Sequence, residues 1–171
     1  ANESARRAFL LSAESLTGKA THQLVGGITG VPESIYYWIR VDRKLRSSAP
    51  WIEGSVSLDE RRLHLVGVDP LAESTFRQYS GGLSDDTARR LLLEPGTVLL
   101  SAISAEQMDV TPGDEILVET AGKPKSLTVA GLLESDNPAA MEGLLVADIS
   151  TAQEVLERFG ILDRIDLILS A

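Results

Sequence analysis

Gly143-Leu144-Leu145-Val146-Ala147-Asp148-Ile149-Ser150-Thr151-Ala152-Gln153 joins a short apolar run to a segment of helical character, with an aspartate at the joint. Gly143–Ala147 reads as a buried strand. Asp148 stands where its carboxylate can accept from the free N–H groups of a first helical turn, so it caps a helix over 149–159. Gly160 follows where a helix would stop, and Ile165–Leu169 reads as the returning strand. The end of the sequence is therefore a β-α-β unit.

A second such unit lies near the other end, over about 19–57. Residues 19–25 alternate and read as a strand that stops at Gly26-Gly27. Pro32 suits a first helical turn, and Ile35, Trp38, Ile39 and Leu45 then recur at helical spacing. Trp51–Leu58 and Leu63–Val68 read as a hairpin around Asp59-Glu60-Arg61-Arg62. Two β-α-β units can share one sheet with helices on one face, which gives an α+β, ferredoxin-like fold.

The chain between the units reads as an inserted, smaller β-rich lobe. Gln78–Asp86 is rich in Ser, Gly and Asp and forms a loop between lobes. Asp85 or Asp86 caps a short helix that runs to Leu93, before Pro95-Gly96. Thr97–Leu100 is a strand, and Ser101 or Ser104 caps a helix to about Met108. Pro112-Gly113-Asp114 turns into a strand at Glu115–Thr120. After a turn at 121–125, Ser126–Leu133 returns, and 135–141 is a loop. The predicted organisation is a lobe made of 19–80 and 143–171, an inserted lobe of 81–142, and a helix within 1–18, read over residues 3–17 and stopped by Gly18.

Composition narrows the function. Charged residues make up 24% and hydrophobic residues 43% of the 171, as in folded domains. Net charge is −9, which opposes the phosphate neutralisation that nucleic-acid binding requires. The whole excess lies in residues 95–171, with 4 basic and 13 acidic side chains, whereas residues 1–94 hold 12 of each. Cysteine is absent, which removes disulfides, thiolate catalysis and cysteine-based zinc sites. Apolar runs such as Val98–Leu100 and Leu167–Leu169 fall far short of the roughly 20 residues that span a bilayer. The abrupt ends at Ala1-Asn2-Glu3-Ser4 and Leu169-Ser170-Ala171 read as those of a segment of a longer protein.

No constellation able to do chemistry emerges. Gly18-Lys19 and Gly122-Lys123 lack the upstream glycine and following Ser/Thr of a phosphate loop. Gly26-Gly27-Ile28-Thr29-Gly30 lacks dinucleotide-binding spacing and reads as a turn. His22 and His64 sit in predicted strands, with no nucleophile elbow to partner them and no ligand spacing around them. The pairs Asp59-Glu60, Asp85-Asp86 and Asp114-Glu115 fall at turns or helix starts, where acids serve the backbone. No catalytic, cofactor-binding or metal-ligating residue is assigned. Arg40, Arg43, Lys44 and Arg46 cluster near a helix C-terminus, where they complement the helix dipole or could meet anionic lipid. Tyr36, Tyr37 and Trp38 cannot all be buried on one face of a helix.

Several stretches resemble the periplasmic region of FtsX/MacB-like ABC-transporter permeases. These are Thr21-His22-Gln23-Leu24, Val66-Gly67-Val68-Asp69-Pro70, Val98-Leu99-Leu100-Ser101 and Pro112-Gly113-Asp114-Glu115-Ile116. Leu145–Gln153 and Ile165-Asp166-Leu167 complete the set, in the family's order. The resemblance implies a porter-like lobe with an inserted second lobe, placed between the first and second membrane helices on the extracytoplasmic side of the bacterial inner membrane, with the helix of 1–18 continuing outward from the first membrane helix. It implies a non-catalytic domain without cofactors that binds cargo or a partner protein and transmits conformational change. The ATP-binding subunit would be reached through the membrane part, and two copies could pair in the full transporter. Two other readings are an independent ligand-sensing module, which needs an enclosed apolar pocket, and a hydrolase, which needs a nucleophile–histidine pair.

Overall fold

In a computed structural model of the chain, residues 20–72 and 84–169 are described. The expected helix at 3–17 and most of the 78–86 loop lie outside the described residues. The strands are β1 (His22–Val25), β2 (Val31–Pro32), β3 (Ser48–Leu58), β4 (Arg61–Val68), β5 (Thr97–Ser101), β6 (Glu115–Thr120), β7 (Lys123–Leu133), β8 (Leu144–Asp148), β9 (Ile161–Leu162) and β10 (Arg164–Leu167). The helices are α1 (Glu33–Tyr37), α2 (Asp85–Leu93), α3 (Ala102–Met108) and α4 (Ile149–Leu156). This is a mixed α+β fold.

Eight strands form one sheet in the order β1-β10-β3-β4-β8-β5-β7-β6, and a further bridge, Ser57 to Glu119, joins β3 to β6. That bridge closes β3-β4-β8-β5-β7-β6 into a six-stranded ring, with β10 and β1 extending outward from the other half of β3. β3 can serve three neighbours because it is 11 residues long. Its first residues pair with β10, Ser57 reaches β6, and Trp51–Leu58 pair with β4 along the opposite edge. β4 and β8 are parallel, with Leu65 opposite Leu145, although 75 residues of chain separate them.

Alternation explains why the strands read as continuous apolar runs. Ile52, Val56, Leu63, Leu65, Val98, Leu100, Leu145 and Ala147 belong to one buried cluster inside the ring, with Ile116, Val118, Leu127 and Val129 from β6 and β7. The intervening residues Trp51, Val66, Val68, Leu99, Leu144 and Val146 form a second cluster on the opposite face, covered by Leu91 of α2. A strand buried on both faces shows no polar alternation. Each core side chain of this kind contributes roughly 1.5–3 kcal/mol through burial.

Helix α4 lies against β3 and β4 and sends Ala152 and Val155 into the inner cluster. Its start is as expected: Asp148 accepts from the N–H groups of Ser150 and Thr151 at 3.2 Å each. Its end is not. The helix stops at Leu156, where Glu157 adopts a left-handed conformation with φ 53°, three residues before Gly160. The cap of α2 also differs from expectation. Ser84, not Asp85 or Asp86, accepts from the Thr87 N–H at 3.1 Å, and the two aspartates occupy the first turn instead. Ser104 caps nothing; its buried hydroxyl accepts from Gly143 N–H at 2.6 Å. β7 begins at Lys123 rather than Ser126, because Ala121 and Gly122 both take positive φ and make a two-residue hairpin turn.

The described chain begins and leaves at one place. Thr21 N–H donates to Leu167 O at 2.9 Å, and Leu169 N–H donates to Thr21 Oγ1 at 2.8 Å.

Candidate functional site

Pro32 does not enter the first helical turn as expected; it ends β2 with ψ 131° and stands just before α1, which begins at Glu33. The helix turns Tyr36 and Ile39 into the core and leaves Tyr37 and Trp38 at 57% and 47% exposure. After Tyr37 the backbone loosens into a π-turn over Trp38–Asp42, with Arg43 N–H donating to Trp38 O at 3.1 Å. The expected helix through Leu45 is therefore cut short, although Ile39 and Leu45 still pack on the inner cluster.

A groove of about 230 Å³ runs between α1, the segment after β4 and the start of α4. Among the described residues its walls carry Glu33, Asp69 and Asp148 and no basic side chain, with Tyr37, Leu71 and Leu92 along the rim. The acids are held in place from within the fold. Asp69 accepts from Tyr36 Oη at 2.6 Å and from Leu71 N–H at 3.0 Å. Glu33 accepts from Tyr37 Oη at 3.1 Å and from Gln153 Nε2 at 3.3 Å. Burial, reinforced by the Asp69 hydrogen bond and charge, pushes the Tyr36 phenol well above its ordinary range. It therefore stays a donor to Asp69 while Arg40 Nη1 donates to its oxygen at 3.0 Å. Such a groove can hold apolar or cationic groups, and among its described lining residues there is a serine, Ser150, but no histidine to pair with it.

A second polar array lies across β10, β3 and β4. Trp51 Nε1 donates to Glu53 Oε2 at 2.7 Å, and His64 Nε2 lies 3.6 Å from the same oxygen. The Arg164 guanidinium stacks on the Trp51 ring at 4.4 Å and donates to the fully buried Asp166 at 2.9 Å. Burial alone would raise the Glu53 carboxyl. The contacts with His64 and Trp51, with the His64 and Arg164 charge, outweigh it and hold the group below the usual carboxylate value. The sign follows from linkage. A depressed native pKa adds stability above the unfolded value and loses it as pH falls through the native one. Glu53→Gln is thus expected to flatten the acid limb of the stability–pH curve below about pH 4.5, read by urea midpoints across that range. An acid limb as steep as that of the parent would refute the assignment.

The other residues singled out in the sequence are dispersed. His22 is exposed, with Nδ1 3.0 Å from the Thr21 hydroxyl. Asp59 sits at the β3–β4 turn, and Asp114 accepts from Thr111 N–H at 2.9 Å. Gly27–Thr29 form a single 3-10 turn, and Gly122 belongs to the β6–β7 turn; Gly18-Lys19 lies outside the described residues. Of the basic run, Arg40 turns inward to Tyr36 and Ser48 O, whereas Arg43 stacks on Trp38 at 4.5 Å. Among the described residues no group of three or more His, Asp or Glu side chains could hold a metal ion. The groove itself was missed by sequence reading, since Glu33, Asp69 and Asp148 are far apart in the chain and each has a local backbone or side-chain role.

No known protein-family profile matches the chain. An uncharacterized ABC transporter permease protein of Mycobacterium tuberculosis is 40% identical to it over 177 aligned residues, which cover 98% of this chain. The match takes in 20% of that permease, so the chain spans about a fifth of its relative's length. Two solved structures share the fold. The extracellular domain of the noncanonic ABC-type transporter YknZ from Gram-positive bacteria has a TM-score of 0.62 at 11% identity, over 87% of this chain and 82% of that one. The periplasmic region of MacB from Actinobacillus actinomycetemcomitans has a TM-score of 0.60 at 15% identity, over 92% and 77%. No helix among the described residues is long and apolar enough to cross a membrane. Along nearly its whole length the chain is thus similar to one segment of an ABC transporter permease, and its fold is that of the MacB periplasmic region and the YknZ extracellular domain.

Proposed function

We propose that the chain works as a non-catalytic domain on the extracytoplasmic side of the bacterial inner membrane. It binds cargo or a partner protein and passes on the movement of the permease. The observation that carries this reading is the match to a permease segment over almost the entire chain. The geometry supports it: Thr21 and Leu169 are hydrogen-bonded neighbours, so chain on either side of the domain departs from one point. That suits a domain inserted between two membrane helices. The acidic, apolar-rimmed groove between α1 and α4 is the part best suited to a binding partner. An ATP-binding subunit would couple to the domain through the membrane part, and two copies could pair in the assembled transporter.

Residues 81–142 form the inserted lobe in this reading, threaded between strands β4 and β8 that pair directly with each other. The inner cluster is shared by residues of both segments. Transmission therefore proceeds by movement of the whole barrel on its two connections, since close-packed cores carry displacement without bending.

These 171 residues contain no cysteine, so a single one placed in them is a clean probe once any cysteine elsewhere in the permease is replaced. Glu60→Cys at the exposed β3–β4 turn, placed in the full-length permease, is expected to react with a membrane-impermeant maleimide on intact cells or spheroplasts. Reaction only after lysis would overturn the extracytoplasmic placement.

A further inference from the structure

We propose that the surface formed by Trp38, Val41, Arg43, Lys44 and Arg46 rests on anionic lipid head groups. The inference rests on the permease reading above.

Four observations converge on this patch. First, it stands beside the place where the chain joins and leaves the domain. Leu167 pairs with Ser48, Ile168 N–H donates to Ser47 O at 2.9 Å, and Thr21 lies on the far side of β10. Two strand spacings, about 10 Å, separate the Thr21 row from the Ser47 row. If the flanking chain enters the membrane, Arg46 and the turn before it are held close to the bilayer surface.

Second, the patch is basic in a chain of net charge −9. Arg43, Lys44 and Arg46 are all exposed, with Asp42 as the one acid among them. Arg40, the fourth basic residue of the run, is used internally, which leaves the other three to face outward. Clusters of Lys and Arg held near a bilayer are drawn to anionic lipid within a Debye length.

Third, the apolar component has interfacial character. Trp38 is 47% and Val41 65% exposed, on the outer side of the π-turn. Tryptophan beside basic side chains is the pairing favoured at head-group depth, where an amphipathic ring finds both phases. The Arg43 guanidinium over the indole at 4.5 Å keeps ring and charge together as one unit.

Fourth, the π-turn is what turns these residues outward. Ile39 and Leu45 anchor it to the core, joined by a Leu45 N–H to Ile39 O bond of 3.1 Å. The intervening residues 41–44 consequently have no core to enter. A protein partner for the patch would need an acidic, apolar surface of its own, whereas in the permease reading a lipid surface is already supplied by the location.

The test uses the full-length permease in nanodiscs. A fluorophore on Val41→Cys reports the patch, and one on Glu60→Cys reports the opposite pole, since β3 carries the chain about 33 Å from Ser48 to Leu58. Lipids with a quencher in the head group should dim the Val41 label several-fold more than the Glu60 label in phosphatidylglycerol-containing discs. The difference should shrink in purely zwitterionic discs, and also with Arg43→Glu, Lys44→Glu and Arg46→Glu combined. Equal quenching at the two sites, quenching indifferent to lipid charge, or a Val41 label shielded by protein would overturn the proposal. If Glu60→Cys reacts from outside the cell while Val41 is not quenched, the permease reading stands and the lipid contact alone fails. If Glu60→Cys reacts only after lysis, the permease reading itself fails.

Discussion

Trp51→Ala is expected to cost about 3–5 kcal/mol of folding stability, the largest loss among single truncations of this chain. Trp51 is the bulkiest fully buried side chain, at 0% exposure. It fills the outer cluster against Val66, Val68 and Val146. The ring also supports Arg164 and donates to Glu53, so truncation leaves a cavity and strips a partner from each of two half-buried charged groups at once. At about 2–4 °C per kcal/mol for a chain of this size, the midpoint should fall by roughly 6–20 °C. Trp51→Phe keeps an aromatic face for Arg164 and loses only the indole N–H, so it should cost less, about 1–3 kcal/mol. Urea unfolding of the two variants measures both. A loss below about 1 kcal/mol for Trp51→Ala would show that the outer cluster does not depend on this residue.

The strands buried on both faces were the easiest part to read in the sequence. Val98–Leu100 and Leu144–Ala147 are unbroken apolar runs, and a strand that packs on both sides has no reason to alternate. The Asp148 cap was equally legible, because the acid and the two N–H groups it serves lie within three residues. Readings failed where several residues compete for one local role. Ser84, Asp85 and Asp86 are adjacent and all can cap, and the backbone chose the first, leaving the aspartates to meet the helix dipole. Gly160 looked like the helix stop, yet Glu157 takes the left-handed position earlier, and its exposed carboxylate meets Lys123 at 2.7 Å.

Closure of the sheet was not legible at all. It depends on Ser57 reaching Glu119 and on β4 lying parallel to β8, contacts between residues dozens of positions apart. The groove is of the same kind. Glu33 begins a helix, Asp69 ends a strand and Asp148 caps a helix, so each has a sufficient local explanation. Only the fold reveals that these three acids share one wall. The basic run was visible from the start, but its two readings separated only when Arg40 proved to be inside and Arg43 outside.

Gly67→Val should destabilise the domain even though valine suits a strand far better than glycine. On propensity alone the change favours β4 by up to about 1 kcal/mol. Packing opposes it. A Cβ at position 67 would stand 2.5 Å from Ala152 Cβ and 2.5 Å from Ile52 Cγ2. Neither neighbour can retreat, because Ala152 belongs to the face of α4 that meets the sheet and Ile52 is fully buried on the adjacent strand. Overpacking of this sort costs about 1–3 kcal/mol and sometimes more, and here both contacts are with buried atoms. Gly67→Ala should show most of the loss, because its single added carbon already makes both contacts. Ala152→Gly in that background removes one of them and should couple favourably with Gly67→Ala, against its own helix cost of about 1 kcal/mol. Gly113 offers the contrast, since a Cβ there meets nothing within 4 Å and only its φ of +99° resists substitution. The four-member cycle of positions 67 and 152, followed by denaturant unfolding, decides the matter. A Gly67→Val variant as stable as the parent, or additive losses at 67 and 152, would mean that α4 does not depend on close approach at this glycine.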